Sequence, residues 1–176
     1  MVVGGFIVCF VSKGAGDLNI KVECMNLQET YTIVDAFKYL PTEYTSNTNV
    51  NIPLPSGNFE ITTKIKPTSR SGAYIYYNIG QDSNHRIYWG QGNPNGSCTL
   101  YVRNSSSGAE YNQSTTGKTD LNEWNDCKLS YVDGLWTLTF GNETLSHSNS
   151  SSTLRGKIYE IGANSGSIKD LIIKSL

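Results

Sequence analysis

Hydrophobic and polar residues alternate along much of this chain, and a period of two predicts β-strands. The clearest example is the segment 59–66, in which Phe59, Ile61 and Ile65 share one face while most charged side chains occupy the other. Alternation of this kind is typical of an antiparallel strand with one side in a core. We therefore predict a strand at residues 59–66, with one face in the core and the other exposed to solvent.

Eight further segments carry apolar or alternating runs bounded by turn-forming residues, which indicates a series of short strands. They are residues 31–37, 73–80, 85–90, 98–103, 124–132, 135–140, 157–162 and 168–173. Two of them flank Asp133-Gly134, the strongest short hairpin signal in the chain. The segments 41–55 and 142–153 are rich in small polar residues, so we expect an irregular loop in the first and a mobile one in the second.

About ten short strands, with no helix longer than a turn, predict an all-β fold: an antiparallel β-sandwich. Residues 1–11 are apolar but fall short of the roughly 20 residues that a membrane-spanning helix needs. Residues 1–24 fit an N-terminal β-hairpin or the tail of a preceding module, and a cleaved signal peptide stays open as an alternative. We assign residues 25–176 to one β-sandwich domain.

Composition agrees with β-structure and narrows the choice of partners. Asn, Ser, Thr and Gly make up about two-fifths of the 176 residues, and Tyr alone occurs 11 times. The net charge is −1, only 16% of residues are charged, and Lys and Arg are scattered singly. Nucleic-acid binding needs clustered basic charge and a membrane-surface helix needs a basic face, so we expect neither partner and no membrane insertion. A weakly charged polar surface fits neutral partners such as sugars, or an extracellular or virion-surface setting.

Four cysteines occur, at Cys9, Cys24, Cys98 and Cys127, without a Cys-x-x-Cys pair. A zinc site is therefore not expected. Three disulfide pairings are open, and Cys9 with Cys24 could bridge a hairpin. We favour buried free thiols that act as small hydrophobic side chains.

Three segments resemble the concanavalin A-like superfamily of jelly rolls, which includes lectins, glucanases and laminin-G-like domains. Residues 59–67 resemble its early strand, and residues 124–138 resemble its tryptophan-led strand, Asp-Gly turn and following strand. Residues 168–174 resemble its closing strand, which returns beside the first. The resemblance implies two stacked, curved sheets, one with a concave face that often carries the ligand. The Asn-, Thr- and Tyr-rich composition of the chain is also similar to that of carbohydrate-binding modules of phage tails and adhesins.

The middle hairpins supply the candidate ligand site. Their more apolar face, with residues such as Ile75, Trp89 and Leu100, should point into the core. The opposite, solvent-facing set is Tyr74, Tyr76, Asn78, Arg86, Tyr88, Tyr101 and Arg103. Tyr rings stack on the apolar face of a pyranose, and amide and guanidinium groups hydrogen-bond its hydroxyls. The alternatives are that cross-strand tyrosines merely stabilise the sheet, or that they contact a protein.

A glycoside hydrolase needs two carboxylates that flank the scissile bond. The glucanase branch of the superfamily usually carries Glu-x-Asp-x-x-Glu on one strand, and this chain has no such string. The nearest carboxylates are Asp120, Glu123 and Asp126, and we interpret the first two as a solvated turn. We predict no enzyme activity, with glycoside hydrolysis as the weaker alternative.

Other chemistry is weakly supported. His85 has no Gly-x-Ser-x-Gly partner motif, so we interpret it as a strand-end histidine in a polar turn. No cofactor is expected; calcium held by Asp82, Asn84 or loop carbonyls is the open alternative, because calcium prefers oxygen ligands.

The sequence thus predicts a non-enzymatic carbohydrate-recognition or adhesion module of a virion tail or cell-surface protein. Its partner would be a cell-surface glycan. The rival hypothesis is a structural or oligomerisation domain without a ligand, in which the N-terminal hairpin joins a neighbouring copy.

Overall fold

The computed structural model describes residues 8–14, 17–23, 36–38, 43–70, 75–91 and 95–176. In this part of the chain, fourteen β-strands and one 3₁₀ turn follow one another. The strands are β1 Val8–Gly14, β2 Asp17–Glu23, β3 Ala36–Lys38, β4 Thr48–Pro53, β5 Phe59–Pro67, β6 Ile75–Asp82, β7 His85–Gln91, β8 Ser97–Asn104, β9 Tyr111–Lys118, β10 Asn125–Val132, β11 Leu135–Phe140, β12 Glu143–Ser148, β13 Lys157–Ala163 and β14 Gly166–Ser175. The 3₁₀ turn Ser152–Leu154 lies between β12 and β13.

Twelve of the strands form two antiparallel six-stranded sheets. The front sheet has the order β4-β13-β6-β7-β8-β9, and the back sheet has the order β12-β11-β10-β5-β14-β3. The closing strand β14 pairs with both β5 and β3, as the jelly-roll resemblance implied. The all-β two-sheet sandwich predicted from the sequence is confirmed.

The core lies between the two sheets and follows the alternation read from the sequence. In β5 every second residue is buried, and Phe59, Ile61 and Ile65 are at most 1% exposed. From the front sheet, Tyr77 and Trp89 enter the core with their rings stacked 4.8 Å apart. Rings of this size remove large apolar areas from water, so they dominate the stability of the sandwich.

One polar contact crosses this core. The Tyr77 hydroxyl and Thr63 Oγ1 lie 2.6 Å apart, and Thr63 Oγ1 also donates to the Lys169 carbonyl at 2.9 Å. Burial raises the pKa of Tyr77 well above its usual range, so the phenol stays neutral. A buried hydroxyl needs such a partner because an unsatisfied one costs about 1–3 kcal/mol.

Cys98 of β8 and Cys127 of β10 are buried free thiols, as predicted. They come from opposite sheets and interact with each other, which together with burial raises the pKa of Cys98. A high pKa keeps the thiol protonated and unreactive. Cys9 lies in β1 opposite Val22, and Cys24 falls outside the described residues.

The Asp133-Gly134 hairpin is confirmed between β10 and β11. Both turn residues have positive φ, 48° for Asp133 and 90° for Gly134. This left-handed pair is the conformation that a two-residue hairpin turn requires.

Three predictions about irregular segments were wrong. The expected loop 41–55 contains β4, the expected mobile segment 142–153 contains β12 and the 3₁₀ turn, and the predicted strands omitted β9. All three lie at a sheet edge. An edge strand has only one pairing neighbour, and polar side chains suit it, so its hydrophobic pattern is weak. Of the strand predicted at 31–37, residues 31–35 fall outside the described residues.

The edge strands β9 and β12 face each other across one side of the sandwich. The Glu143 carboxylate accepts hydrogen bonds from the backbone N–H groups of Thr116 and Gly117 and from the Thr116 hydroxyl. Nearby, the rings of Tyr111 and His147 stack 4.9 Å apart. These contacts join the two sheets and satisfy edge donors that would otherwise invite pairing with another chain.

In the part of the chain that the structure describes, the N-terminal strands β1 and β2 pair with each other and form a two-stranded sheet. No helix in the described residues is long and apolar enough to cross a membrane.

Candidate functional site

The outer face of the front sheet brings together six of the seven predicted site residues. Tyr76 and Asn78 lie on β6, Arg86 and Tyr88 on β7, and Tyr101 and Arg103 on β8. Their sequence neighbours Tyr77, Ile87, Trp89, Leu100 and Val102 point the other way and are at most 1% exposed. Tyr74 lies outside the described residues. We call the six residues the tyrosine face.

Tyr76 is held in place from two sides. Its ring lies directly over Gly162 of β13, where an added Cβ would approach the ring to 2.2 Å, and only glycine leaves that space. Its hydroxyl donates to Glu160 at 2.9 Å, and its ring sits 4.9 Å from that of Tyr88. Burial, together with the bond to Glu160, raises the pKa of Tyr76 to about 12. The phenol is therefore a neutral, fixed ring at physiological pH.

Asn78 was predicted to face solvent, and this was wrong: it is only 2% exposed. Its Nδ2 donates to the second oxygen of Glu160 at 2.7 Å. The Glu160 carboxylate thus ties Asn78 and Tyr76 together, one oxygen to each. A carboxylate acceptor gives a stronger bond than a neutral one, so the amide is fixed in orientation.

The two arginines are directly opposite each other in the β7–β8 ladder, where like charges repel. Their side chains extend in different directions. Arg103 donates from Nε to the Ser105 carbonyl and from Nη2 to the Ser106 carbonyl, both at 3.0 Å. Arg86 instead lies over the Tyr101 ring, with Cζ 5.4 Å from the centroid. Only Arg86 therefore belongs to the aromatic surface, while Arg103 stabilises its own turn.

Two further residues, Tyr159 and Glu160, border the tyrosine face, and the sequence analysis did not predict them. A β-bulge between Ile158 and Glu160 shifts the register of β13 against both of its neighbours. Because Ile158 and Ile161 both enter the core, the two residues between them are left outside. The three-residue spacing of these isoleucines was the available signal, since a regular strand repeats every two residues.

Tyr159 lies beside Arg86 at this bulge. Burial raises the pKa of Tyr159, and the Arg86 guanidinium partly offsets the effect. The guanidinium therefore lies over the Tyr101 ring of β8 and near the Tyr159 hydroxyl of β13. A planar cation stacked on aromatic rings is well suited to donate several hydrogen bonds to one ligand.

The loop between β6 and β7 has a structural role. Asp82 Oδ1 accepts from the backbone N–H groups of Asn84 and His85, and it lies 3.0 Å from His85 Nδ1. These bonds lower the pKa of Asp82, with the Asn84 N–H as the largest cause. His85 is thus at the start of a strand in a polar turn, as predicted. Among the described residues, no group of three or more His, Cys, Asp or Glu side chains could hold a metal ion.

The carboxylates near Trp124 do not converge on one point. Asp120 and Glu123 are exposed, and their backbone is organised by the Asn125 side chain, which donates to both carbonyls. Asp126 pairs with Lys64 at 2.6 Å on the back sheet. The first two carboxylates therefore fit the solvated turn that the sequence predicted.

The tyrosine face combines partly exposed rings with fixed polar groups. Tyr76, Tyr88 and Tyr101 are all partly buried, so part of each ring reaches the surface. Glu160 supplies an acceptor beside Tyr76, and Arg86 supplies a donor over the Tyr101 ring. Such a surface can stack on an apolar ring face and hydrogen-bond hydroxyl groups without rearranging.

The sequence matches none of the protein-family models and no curated protein. Solved structures do resemble it. A single mutant of congerin II and the lactose- and MES-liganded congerin II each superimpose with a TM-score of 0.51 and 12% identity, covering 76% of this chain and 98% of theirs. Chicken galectin 2 gives a TM-score of 0.49 and 10% identity, covering 73% of this chain and 98% of its own. The congerin likeness agrees with the concanavalin A-like jelly-roll fold predicted from the sequence.

Proposed function

We propose that this chain is a lectin-like, non-enzymatic module that binds carbohydrate on the tyrosine face. The observation that carries the proposal is the arrangement of Tyr76, Tyr88 and Tyr101 on one face, with Arg86 over Tyr101 and Glu160 beside Tyr76. These rings come from three adjacent strands of one sheet, so their spacing is fixed by the backbone ladder. A preformed face loses little conformational freedom on binding, which favours affinity for weakly interacting ligands such as sugars.

The polar groups fit a neutral ligand with many hydroxyls. Arg86 offers donors, the Glu160 carboxylate offers acceptor lone pairs, and the Tyr101 hydroxyl offers both. A sugar ring presents hydroxyls at its edge and C–H groups on its face, which matches this mixture. One congerin II structure of the same fold was solved with lactose, which supports the proposal by analogy.

A glycan array tests the proposal. The wild-type protein should be retained on a subset of glycans, and Tyr88→Ala or Tyr101→Ala should remove that retention while the melting temperature changes little. The matched control is Tyr111→Ala, because Tyr111 is also a partly buried, stacked tyrosine but lies on β9 beside His147. Retention that survives both substitutions on the face, or that is lost equally with Tyr111→Ala, contradicts the proposal.

The same proposal includes the location of the protein: the chain is a module of a cell-surface adhesin or a virion tail, and it binds glycans outside the cell. The absence of enzyme activity is tested separately by reducing-sugar release from a glycan panel. We expect no turnover. Turnover that is lost in Glu123→Gln would show a glycoside hydrolase instead.

A second candidate function is oligomerisation through the N-terminal hairpin. The observation in its favour is that β1 and β2 pair with neither six-stranded sheet. An isolated two-stranded hairpin is marginally stable in water, so a neighbouring copy could supply the missing partner. Multi-angle light scattering separates the two candidates: stable multimers without glycan retention favour oligomerisation, and retention by a monomer favours the lectin-like module.

A further inference from the structure

An open depression lies at one end of the front sheet, beside the 3₁₀ turn. Its volume is about 490 Å³, which falls in the range of small-molecule sites. Its lining comes from β4, the end of β6, the start of β13 and the 3₁₀ turn region, and it includes Asn51, Gly80, Gln81, Ser152, Arg155 and Lys157.

This depression continues the tyrosine face. Gly80 lies two residues along β6 from Asn78, and Lys157 lies on β13 shortly before Tyr159 and Glu160. Ile52 and Ile158 enter the core, so their sequence neighbours on β4 and β13 point to the same outer side. A ligand that lies on the tyrosines and follows the strands toward this end therefore reaches the depression.

The charge of the depression is positive and uncompensated. Its lining holds two cations, Arg155 and Lys157, and no carboxylate. Neither cation forms an ion pair with any residue that the structure describes. The acidic residues nearest in sequence are engaged elsewhere: Asp82 bonds to its own turn, and Glu160 to Tyr76 and Asn78.

Arg155 is also held in position. Its Cζ lies 4.9 Å from the centroid of the Tyr131 ring, and its Nη1 donates to the Ser56 carbonyl at 3.0 Å. A guanidinium and an ammonium that line the same depression favour an anionic oxygen group over a neutral one.

We propose that this depression binds the anionic group, a carboxylate or a sulfate, of an acidic sugar unit in a glycan whose neutral part lies on the tyrosine face. The inference rests on the proposed function for the neutral part. The amide and hydroxyl side chains of Asn51, Gln81 and Ser152 supply contacts for the remaining hydroxyls of that unit. The protein would then prefer glycans that carry uronate, sialate or sulfate over their neutral counterparts.

The test is binding to matched neutral and acidic glycans at low salt, with wild type, Lys157→Gln and Lys157→Glu. Wild type should bind the acidic member of a pair about tenfold more tightly, because a charge-assisted hydrogen bond is worth that much. Lys157→Gln should remove most of this preference and Lys157→Glu should reverse it, and the affinity for the neutral member should change far less than that for the acidic one. Lys174→Gln is the control, since Lys174 is an exposed lysine on the back sheet.

The outcomes separate the two proposals. Equal binding of neutral and acidic members, or a preference that survives Lys157→Glu, overturns the acidic-sugar site and leaves the lectin-like function standing. Failure to retain any glycan contradicts the lectin-like function itself. A third experiment adds inorganic sulfate as a competitor. If sulfate displaces acidic glycans at a concentration equal to theirs, the depression binds anions in general and the assignment to an acidic sugar is wrong.

Discussion

The outer faces of the two sheets obey the same alternation but carry different chemistry. The back sheet presents ion pairs in water, such as Lys64 with Asp126 at 2.6 Å and Lys128 with Glu60 at 3.2 Å. The front sheet presents tyrosine rings: Tyr76 is bonded to the Glu160 carboxylate, and Tyr88 packs against Tyr76. Long charged side chains stay hydrated and mobile, whereas rings packed on a sheet lose little entropy when a ligand arrives. The pattern of inside and outside positions sets the fold, and the identity of the outside residues distinguishes a solvated face from the face that we propose binds a ligand.

The largest expected effect comes from the core layer directly beneath the tyrosine face. Trp89→Ala should lower the free energy of unfolding by about 3–5 kcal/mol, because it leaves a cavity against the Tyr77 ring. Tyr88→Ala, one residue away on the outer side, should cost far less. Urea denaturation of both variants measures the contrast, and similar losses at 88 and 89 would mean that the outer face is part of the core.

The next effect concerns Glu160. Glu160→Ala leaves the buried Asn78 amide and the Tyr76 hydroxyl without their acceptor, which should destabilise the protein by about 1–3 kcal/mol. It should also weaken glycan binding, because both side chains become free to rotate. Denaturation and array retention measure the two effects. Unchanged retention with reduced stability would restrict Glu160 to a structural role.

A smaller effect follows from Glu143 at the side where β9 meets β12. Hydrogen bonds from Thr116, first of all from its backbone N–H, lower the pKa of Glu143 below its ordinary value. A lowered folded-state pKa adds stability that is fully present above the ordinary glutamate pKa of about 4.3 and is lost as the pH falls through the lowered one. The melting temperature of wild type should therefore exceed that of Glu143→Gln at pH 7, and the gap should shrink below about pH 4. A gap that stays constant with pH would contradict this account.

The smallest effect is expected on the outer face of the back sheet, which carries the ion pairs. The double substitution of Lys64→Ala with Asp126→Ala removes a solvent-exposed ion pair, and such pairs contribute little. Neither the melting temperature nor glycan retention should change measurably. Lost retention would move the ligand to the back sheet and remove the distinction between the two faces.

The sequence predicted those parts of the fold that side-chain periodicity determines. The β5 alternation and the Asp133-Gly134 turn are local signals that the tertiary structure leaves unchanged. The edge strands β4 and β12 were missed, because backbone pairing to one neighbour forms them and their polar side chains show no core pattern.

The site was predicted in outline for the same reason. Alternation placed Tyr76, Tyr88 and Tyr101 on one face, but it gave no sign that Asn78 would be buried. That burial depends on Glu160, a residue 82 positions away whose orientation follows from the β13 bulge. Contacts between distant strands depend on register, and a single sequence carries little information about register.

An NMR titration tests most directly whether the tyrosine face binds the ligand. The ligand is the neutral oligosaccharide that binds most strongly to the protein on the glycan array. Backbone amide shifts should concentrate on the outer face of β6, β7 and β8, around Tyr76, Arg86, Tyr88 and Tyr101, and leave Lys64 and Lys128 of the back sheet unmoved. Shifts that cluster on the back sheet, or along the β9 and β12 edges, would contradict the assignment of the tyrosine face as the ligand site.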